Sequence, residues 1–210
     1  MTRKLVIAID GFVATGKGTI AKQLAKKYDL YHIDTGAFYR AIALKTILHP
    51  HDNIDKILDF INLKWEKGKI FLDGVDVSLK IREQEVTNQI DRICNLAKVR
   101  EFVTLLTRNI AKGESVVVDG RDIGNNILPH ADLKFLIIAD KEVRIKRRVK
   151  QNEAKGIDTS YKIVSEDVEF RDKRDKLNMG NVPERIVIDN TYLTLEETIK
   201  EMSKYIDQIL

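Results

Sequence analysis

Four runs of this chain are apolar without alternation: KLVIAID at 4 to 10, SVVVDG at 115 to 120, LKFLIIA at 133 to 139 and RIVIDN at 185 to 190. A strand with one wet face alternates, so unbroken apolar strands must be covered on both faces. Helical patterns at 17 to 28, 98 to 112 and 141 to 154 fall between these runs, and Thr194 with Glu197 forms the capping-box signature of a last helix from 195. Strands alternating with helices give a parallel sheet flanked on both sides. The predicted class is α/β, a three-layer α/β/α fold on a central parallel sheet, and 210 residues suffice for one such domain with modest insertions.

One stretch breaks the rhythm. LKWEKGKIFLDGVDVS at 63 to 78 has short alternating runs split at Lys67-Gly68 and Asp73-Gly74, which predicts a small antiparallel meander. Residues 35 to 95 are therefore read as an inserted α+β domain, leaving 1–34 and 96–210 as the core. The N-terminal apolar run stops at Asp10 without a small-residue cleavage site, so it reads as a first strand and not as a signal peptide. No segment approaches the roughly 18 apolar residues of a membrane span, and no membrane partner is expected. A lone Cys94 and the absence of Cys/His clusters with metal spacing agree with a reducing, cytoplasmic setting. The net charge of +4 suits either nucleic acid or a small polyanion.

GFVATGKGT at 11 to 19 favours the polyanion. It has the frame of a phosphate-binding loop, with a predicted strand before it and a helix after it. In such a loop glycines let backbone N–H groups turn inward, the helix N-terminus adds its dipole, and the lysine reaches the β and γ phosphates. The expected donor site is thus Gly11, Phe12, Val13, Ala14, Thr15, Gly16, Lys17, Gly18 and Thr19, with Lys17 at an exposed helix start. Many such loops place a metal-binding hydroxyl directly after the lysine. Gly18 removes it and moves the hydroxyl to Thr19, so the metal must lean on phosphate and water.

Three further clusters carry charge. DTGAFYR at 34 to 40 opens a helix with Thr35, whose N-terminal N–H groups suit one phosphate, and with Arg40; the plain alternative is an N-cap and a solvated arginine. VVVDGRDIG at 116 to 124 gathers Asp119, Arg121 and Asp122 where a core strand ends, the edge at which open α/β sheets bind ligands. In FRDKRDKLN at 170 to 178, Arg171, Arg174, Asp175 and Asn178 share one helical face. RIKRR puts Arg144, Arg147 and Arg148 upstream, so two arginine groups flank a polar stretch that reads as a lid of about 149–164 closing cations onto phosphates, or as a solvated, salt-bridged face. The arginines gather at motifs and not along one stripe, so no nucleic-acid partner is expected.

Taken in this order and spacing, GxxxxGKGT, DTGAFYR, IREQEVTNQI, KVRE at 98 to 101, DGRDIG and RDKRD make the chain resemble bacterial cytidylate kinases over nearly all its length. The resemblance implies the phosphate-loop nucleoside monophosphate kinase fold, with ATP on the core, a monophosphate under the insert and a short lid. It implies transfer of the ATP γ-phosphoryl group to CMP or dCMP in pyrimidine metabolism, with Mg²⁺ accompanying ATP, by a monomer. At matching positions it implies that Thr35, Tyr39, Arg40, Arg121, Arg171 and Asp175 contact phosphate or sugar, and that Arg100 and Asp122 read the base. Among the catalytic residues Lys17 would hold the donor β and γ phosphates, Arg148, Arg171 and Arg174 would neutralise the transferred group, and Asp119 would meet the metal through water. The chain departs from the family's usual proline, serine, glycine and alanine at Phe12, Val13, Ala14 and Thr15. It also has Asp91 where a base-contacting serine is usual and Asn178 where an arginine is frequent. Asp91 has two readings, a second acceptor for the cytosine amine or a surface residue on an insert helix. Rival activities are phosphorylation of shikimate, AMP or UMP, or nucleotide binding without turnover.

Overall fold

The computed structural model describes residues 4–154, 156–157 and 159–210. In chain order the core begins with β1 (Val6–Gly11), α1 (Lys17–Lys27) and β2 (Tyr31–Asp34). There follow α2 (Thr35–Leu48), α3 (Ile54–Phe60), β3 (Leu63–Glu66), β4 (Lys69–Leu72), β5 (Val75–Asp76) and α4 (Gln84–Ile93), the stretch expected as an insert. The core resumes with α5 (Ala97–Gly113), β6 (Val116–Gly120), β7 (Leu133–Ile138), α6 (Lys141–Glu153), α7 (Tyr161–Met179), β8 (Ile186–Asp189) and α8 (Leu195–Ile206).

Five strands form one parallel sheet in the order β2-β6-β1-β7-β8. Ile7, Ala8, Ile9, Val116, Val117 and Val118 of the two central strands are wholly buried, as their unbroken apolar runs require. Two hydrophobic clusters cover the faces. On one side α1 and α8 pack Ile20, Leu24, Met202 and Ile206 against Ile7, Ile9 and Phe135. On the other, α2 and α5 pack Phe38, Ile42, Val99 and Val103 against Ala8, Val116 and Val118. Thr194 and Glu197 form the expected capping box at the start of α8.

The insert's three strands pair antiparallel in the order β3-β4-β5. Its hairpins turn at Lys67-Gly68 and Asp73-Gly74, where all four residues have φ between 48° and 86°, the left-handed pairs that tight hairpins need. Leu63, Ile70, Leu72 and Val77 of this region join the same apolar cluster as α2 and α5. The stretch expected as a lid contains the end of α6 and the start of α7; Lys155 and Asp158 within it lie outside the described residues. Under it Val13, Ile145, Val164 and Val168 make a small third cluster. Among the described residues no helix is long and apolar enough to cross a membrane.

Candidate active site

The loop after β1 is stabilised from below by its own unusual side chains. Val13 is buried in the third cluster, and Thr15, wholly buried, donates its hydroxyl to Phe12 O at 3.0 Å. Asn190 Nδ2 donates to Thr15 O at 2.8 Å, and Arg144 Nη1 donates to Val13 O at 3.3 Å while its guanidinium lies 5.3 Å from the Phe12 ring. The larger residues thus point into the protein, leaving the loop's inner side to backbone. Ala14 stands at φ 60° and Gly16 at φ 84°. No side chain caps α1 and its first turn has no acidic residue, so its N–H groups and dipole are open to an anion. Lys17 is half-buried, correcting the expectation of an exposed helix start. Its Nζ donates to Phe12 O at 3.3 Å, and burial, then the Arg121 guanidinium, push its pKa down to about 7, against the opposing pull of Asp119, Asp175 and Asp34.

From Lys17 a cavity of about 250 Å³ runs between the end of β6, α2, α4 and α7. It brings together Thr35, Tyr39, Arg40, Arg100, Asp119, Arg121, Asp122, Arg171, Arg174 and Asp175, and both Asp91 and Asn178. The helical face expected at 171, 174, 175 and 178 therefore does point at one space. Of the loop, Lys17 alone reaches it, while Thr19 is exposed.

The end of β6 is held by close fits. A Cβ at Gly120 would stand 2.6 Å from Ile123 Cδ1 and 2.7 Å from Thr35 Oγ1, so only glycine allows Thr35 to donate to Asp119 O at 3.0 Å. Asp10, at the end of β1, accepts from Ile123 N at 2.7 Å and Gly124 N at 3.0 Å. That fixes the turn carrying Arg121 and Asp122. Asp122 is buried and accepts from Arg100 Nη2, with Asn126 Nδ2 at 3.3 Å. Burial pushes the Tyr39 hydroxyl up to about 12, so it remains protonated and able to donate.

Four guanidinium groups gather without enough acceptors. Arg40 carries a lowered pKa through burial and then through Arg82, Arg171 and Arg148, against the pull of Asp34. Among the described residues the buried Nε atoms of Arg40 and Arg148 have no hydrogen-bond partner. Arg148 lies beside Arg171 without lining the cavity. Arg171 Nε takes Asp167 at 2.8 Å, and Arg82 takes Asp34 at 2.7 Å. Like charges at this density with unfilled donors make an anion site. Arg82 escaped the sequence reading although IREQEVTNQI was singled out; its signal is a charged residue directly after the buried Ile81, at the foot of α4.

The RIKRR cations divide. Arg144 is buried and pairs with Asp172 through both terminal nitrogens, at 2.9 and 2.6 Å, and Arg147 holds Asn190 at 3.0 and 2.8 Å. Both are struts behind the loop, which corrects their place in a closing lid. Asp119 Oδ1 stands 2.6 Å from His32 Nε2, and its Oδ2 faces Gly18. Among the described residues no group of three or more His, Cys, Asp or Glu side chains could hold a metal ion. A cation here fits only as one carried by phosphates, with Asp119 as a single outer carboxylate.

A family model described as cytidylate kinase matches residues 7–208. The cytidylate kinase of Pediococcus pentosaceus is 35% identical, covering 99% of this chain and 97% of its own. That of Caldicellulosiruptor bescii is 38% identical over 95% and 94%. Among solved structures, a shikimate kinase from Bacteroides thetaiotaomicron superposes with a TM-score of 0.54 at 12% identity, over 97% of this chain and 98% of its own. A Thermus thermophilus protein, TT1252, gives 0.55 at 17%, over 100% and 99%. These two share the fold. Matched along almost its whole length by the family model and by relatives at 35% and 38% identity, the chain belongs to the cytidylate kinase family.

Proposed function

We propose that the protein transfers the γ-phosphoryl group of ATP to CMP or dCMP, giving CDP or dCDP and ADP. The observation that carries this is the cavity beside Lys17, which Arg40, Arg82 and Arg171 line with Arg148 beside Arg171 and behind it, and where the buried Nε groups of Arg40 and Arg148 find no partner among the described residues. Such a site is built for anions brought together, and phosphoryl transfer asks mainly for that positioning and neutralisation. The loop N–H groups and Lys17 hold the donor phosphates. Arg40 and Arg121 hold the acceptor phosphate, whose oxygen attacks the γ phosphorus, so no side chain is needed as nucleophile. Arg148 and Arg171 neutralise charge on the transferred group.

Arg100 and Asp122 suit cytosine. A carboxylate accepts from the exocyclic amine and a guanidinium donates to N3 and O2, whereas uracil would turn O4 toward the carboxylate. Tyr39, Thr35 and Asp175 complete the acceptor side. Mg²⁺ bound with ATP would supply charge neutralisation on the phosphates, with Asp119 reaching it through water. We place the protein in the cytoplasm as a monomer without nucleic-acid or membrane partners, with 35–95 as the acceptor-covering unit and 149–164 as the lid.

A coupled assay of ADP release with CMP, dCMP, UMP, AMP and shikimate tests the reading. CMP and dCMP are expected to lead the panel by at least about tenfold. Release with shikimate or AMP alone would overturn it.

A further inference from the structure

Arg174 is held by two elements at once. Its Nη1 donates to Asp91 Oδ1 of α4 at 2.6 Å, and its Nε meets Asp175 Oδ1 at 3.3 Å. The other oxygen of Asp175 accepts from Arg121 Nε at 2.5 Å. Asp91, Arg174, Asp175 and Arg121 thus form a chain of alternating charge from the insert, over α7, to the end of β6. All four line the cavity. The Arg174 Nη1 also lies 3.8 Å from Cys94 Sγ, just beyond α4. By contrast, the like-charge neighbours of Arg40 are Arg82, Arg171 and Arg148. Arg174 lines the same cavity but is paired with Asp91 of the insert and with Asp175.

We propose that Arg174 is a positioning residue and Asp91 its partner: the pair clasps α4 to α7 across the acceptor cavity and sets the affinity for the nucleoside monophosphate. Neutralisation of the transferred group is left to the cluster without Arg174. The inference rests on CMP being the acceptor. It also gives Asp91 a role that neither sequence reading contained, since its carboxylate serves the arginine and not the base.

The side chains are 45% exposed at Asp91 and 22% at Arg174. The Asp91 end of the pair is open to water and contributes little to folding, so Asp91→Ala should leave melting almost unchanged. What it changes is the fraction of molecules whose insert is already closed, and apparent affinity falls with that fraction.

Asp91→Ala, Arg174→Ala and the double variant separate the possibilities by steady-state kinetics with CMP and ATP varied in turn, and by calorimetric titration of CMP. Each single change is expected to raise both KM and Kd for CMP about three- to fivefold. The double variant should be no worse than the worse single, kcat and the KM for ATP should stay within about twofold, and Asp91→Glu should recover most of the affinity. A large fall of kcat in Arg174→Ala, additive effects in the double variant, or unchanged CMP affinity in Asp91→Ala would each overturn the clasp. So would losses in all constants that follow a lowered Tm. A wild-type protein that does not turn over CMP removes the functional reading and the clasp together; an active wild type with an unaffected Asp91→Ala variant removes the clasp alone.

Discussion

Asp122→Asn tests base recognition. Asp122 is 5% exposed, so its carboxylate acts in a sheltered place, and its Oδ2 already accepts from Arg100. A hydrogen bond to a charged acceptor contributes about 1.5–3 kcal/mol, hence roughly a 10- to 150-fold loss of kcat/KM for CMP when the charge is removed. UMP should gain, because the new amide can turn its NH₂ toward O4 where the carboxylate repelled it. The expected CMP to UMP preference therefore collapses by two orders of magnitude or more. Folding suffers less. The Arg100 side chain is 26% exposed and keeps an amide oxygen as acceptor, so the cost is about 1–2 kcal/mol, or roughly 2–8 °C in Tm. Steady-state kinetics with both acceptors, beside Asp91→Asn, decides. Asp91→Asn should change CMP and UMP alike, since the clasp does not read the base. An unchanged preference in Asp122→Asn, or a collapse confined to Asp91→Asn, would refute the assignment.

Lys17→Ala should abolish turnover with circular dichroism unchanged, because the amine serves phosphate charge and not the core; activity near wild type would contradict this. Burial holds the Lys17 pKa down to about 7, and donor phosphates should raise it, so ATP binding at pH 8 should take up a proton. Calorimetry in two buffers of different ionisation enthalpy measures it, and proton release would have the sign wrong. Ala14→Gly removes a left-handed alanine, a strain of about 1–2 kcal/mol, against about 0.4–1 kcal/mol of added unfolded-chain entropy, a net of about 0–1.6 kcal/mol, so Tm should rise by up to about 6 °C; a fall would show that the alanine is not strained. Arg171→Ala should lower kcat/KM far beyond any loss of stability, since its paired side chain is on a partly wet face. Losses that track Tm would make the residue structural.

The sheet was legible wherever strands are covered twice. β1, β6 and β7 announce themselves by unbroken apolar runs; β8 has such a run too, but it is an edge strand that leaves Val187 54% exposed, against the expectation of cover on both faces, and β2 is a four-residue edge strand with Tyr31 exposed that no periodicity marks. Residues 171, 174, 175 and 178 were readable as one face because helical spacing fixes direction. Charge alone did not tell which arginines face the cavity: Arg144 and Arg147 are spent on Asp172, Asn190 and the Val13 carbonyl, partners 28 or more positions away in sequence. Arg82 and the partner of Asp91 were invisible for the same reason, since both depend on how the insert folds back over α7 and the end of β2. The loop reads differently in three dimensions too, because Val13 and Thr15 are turned inward, and their bulk does not crowd the side left to phosphate.

The central claim is that phosphoryl passes from ATP to the phosphate of a cytidine monophosphate. Incubating the wild-type protein with γ-labelled ATP, Mg²⁺ and CMP, then separating the nucleotides, follows the atom itself. The label should leave ATP and appear in CDP in step with ADP formed, and Lys17→Ala should show no transfer. Label found only as inorganic phosphate, or left in ATP while another monophosphate is labelled under the same conditions, would contradict the account.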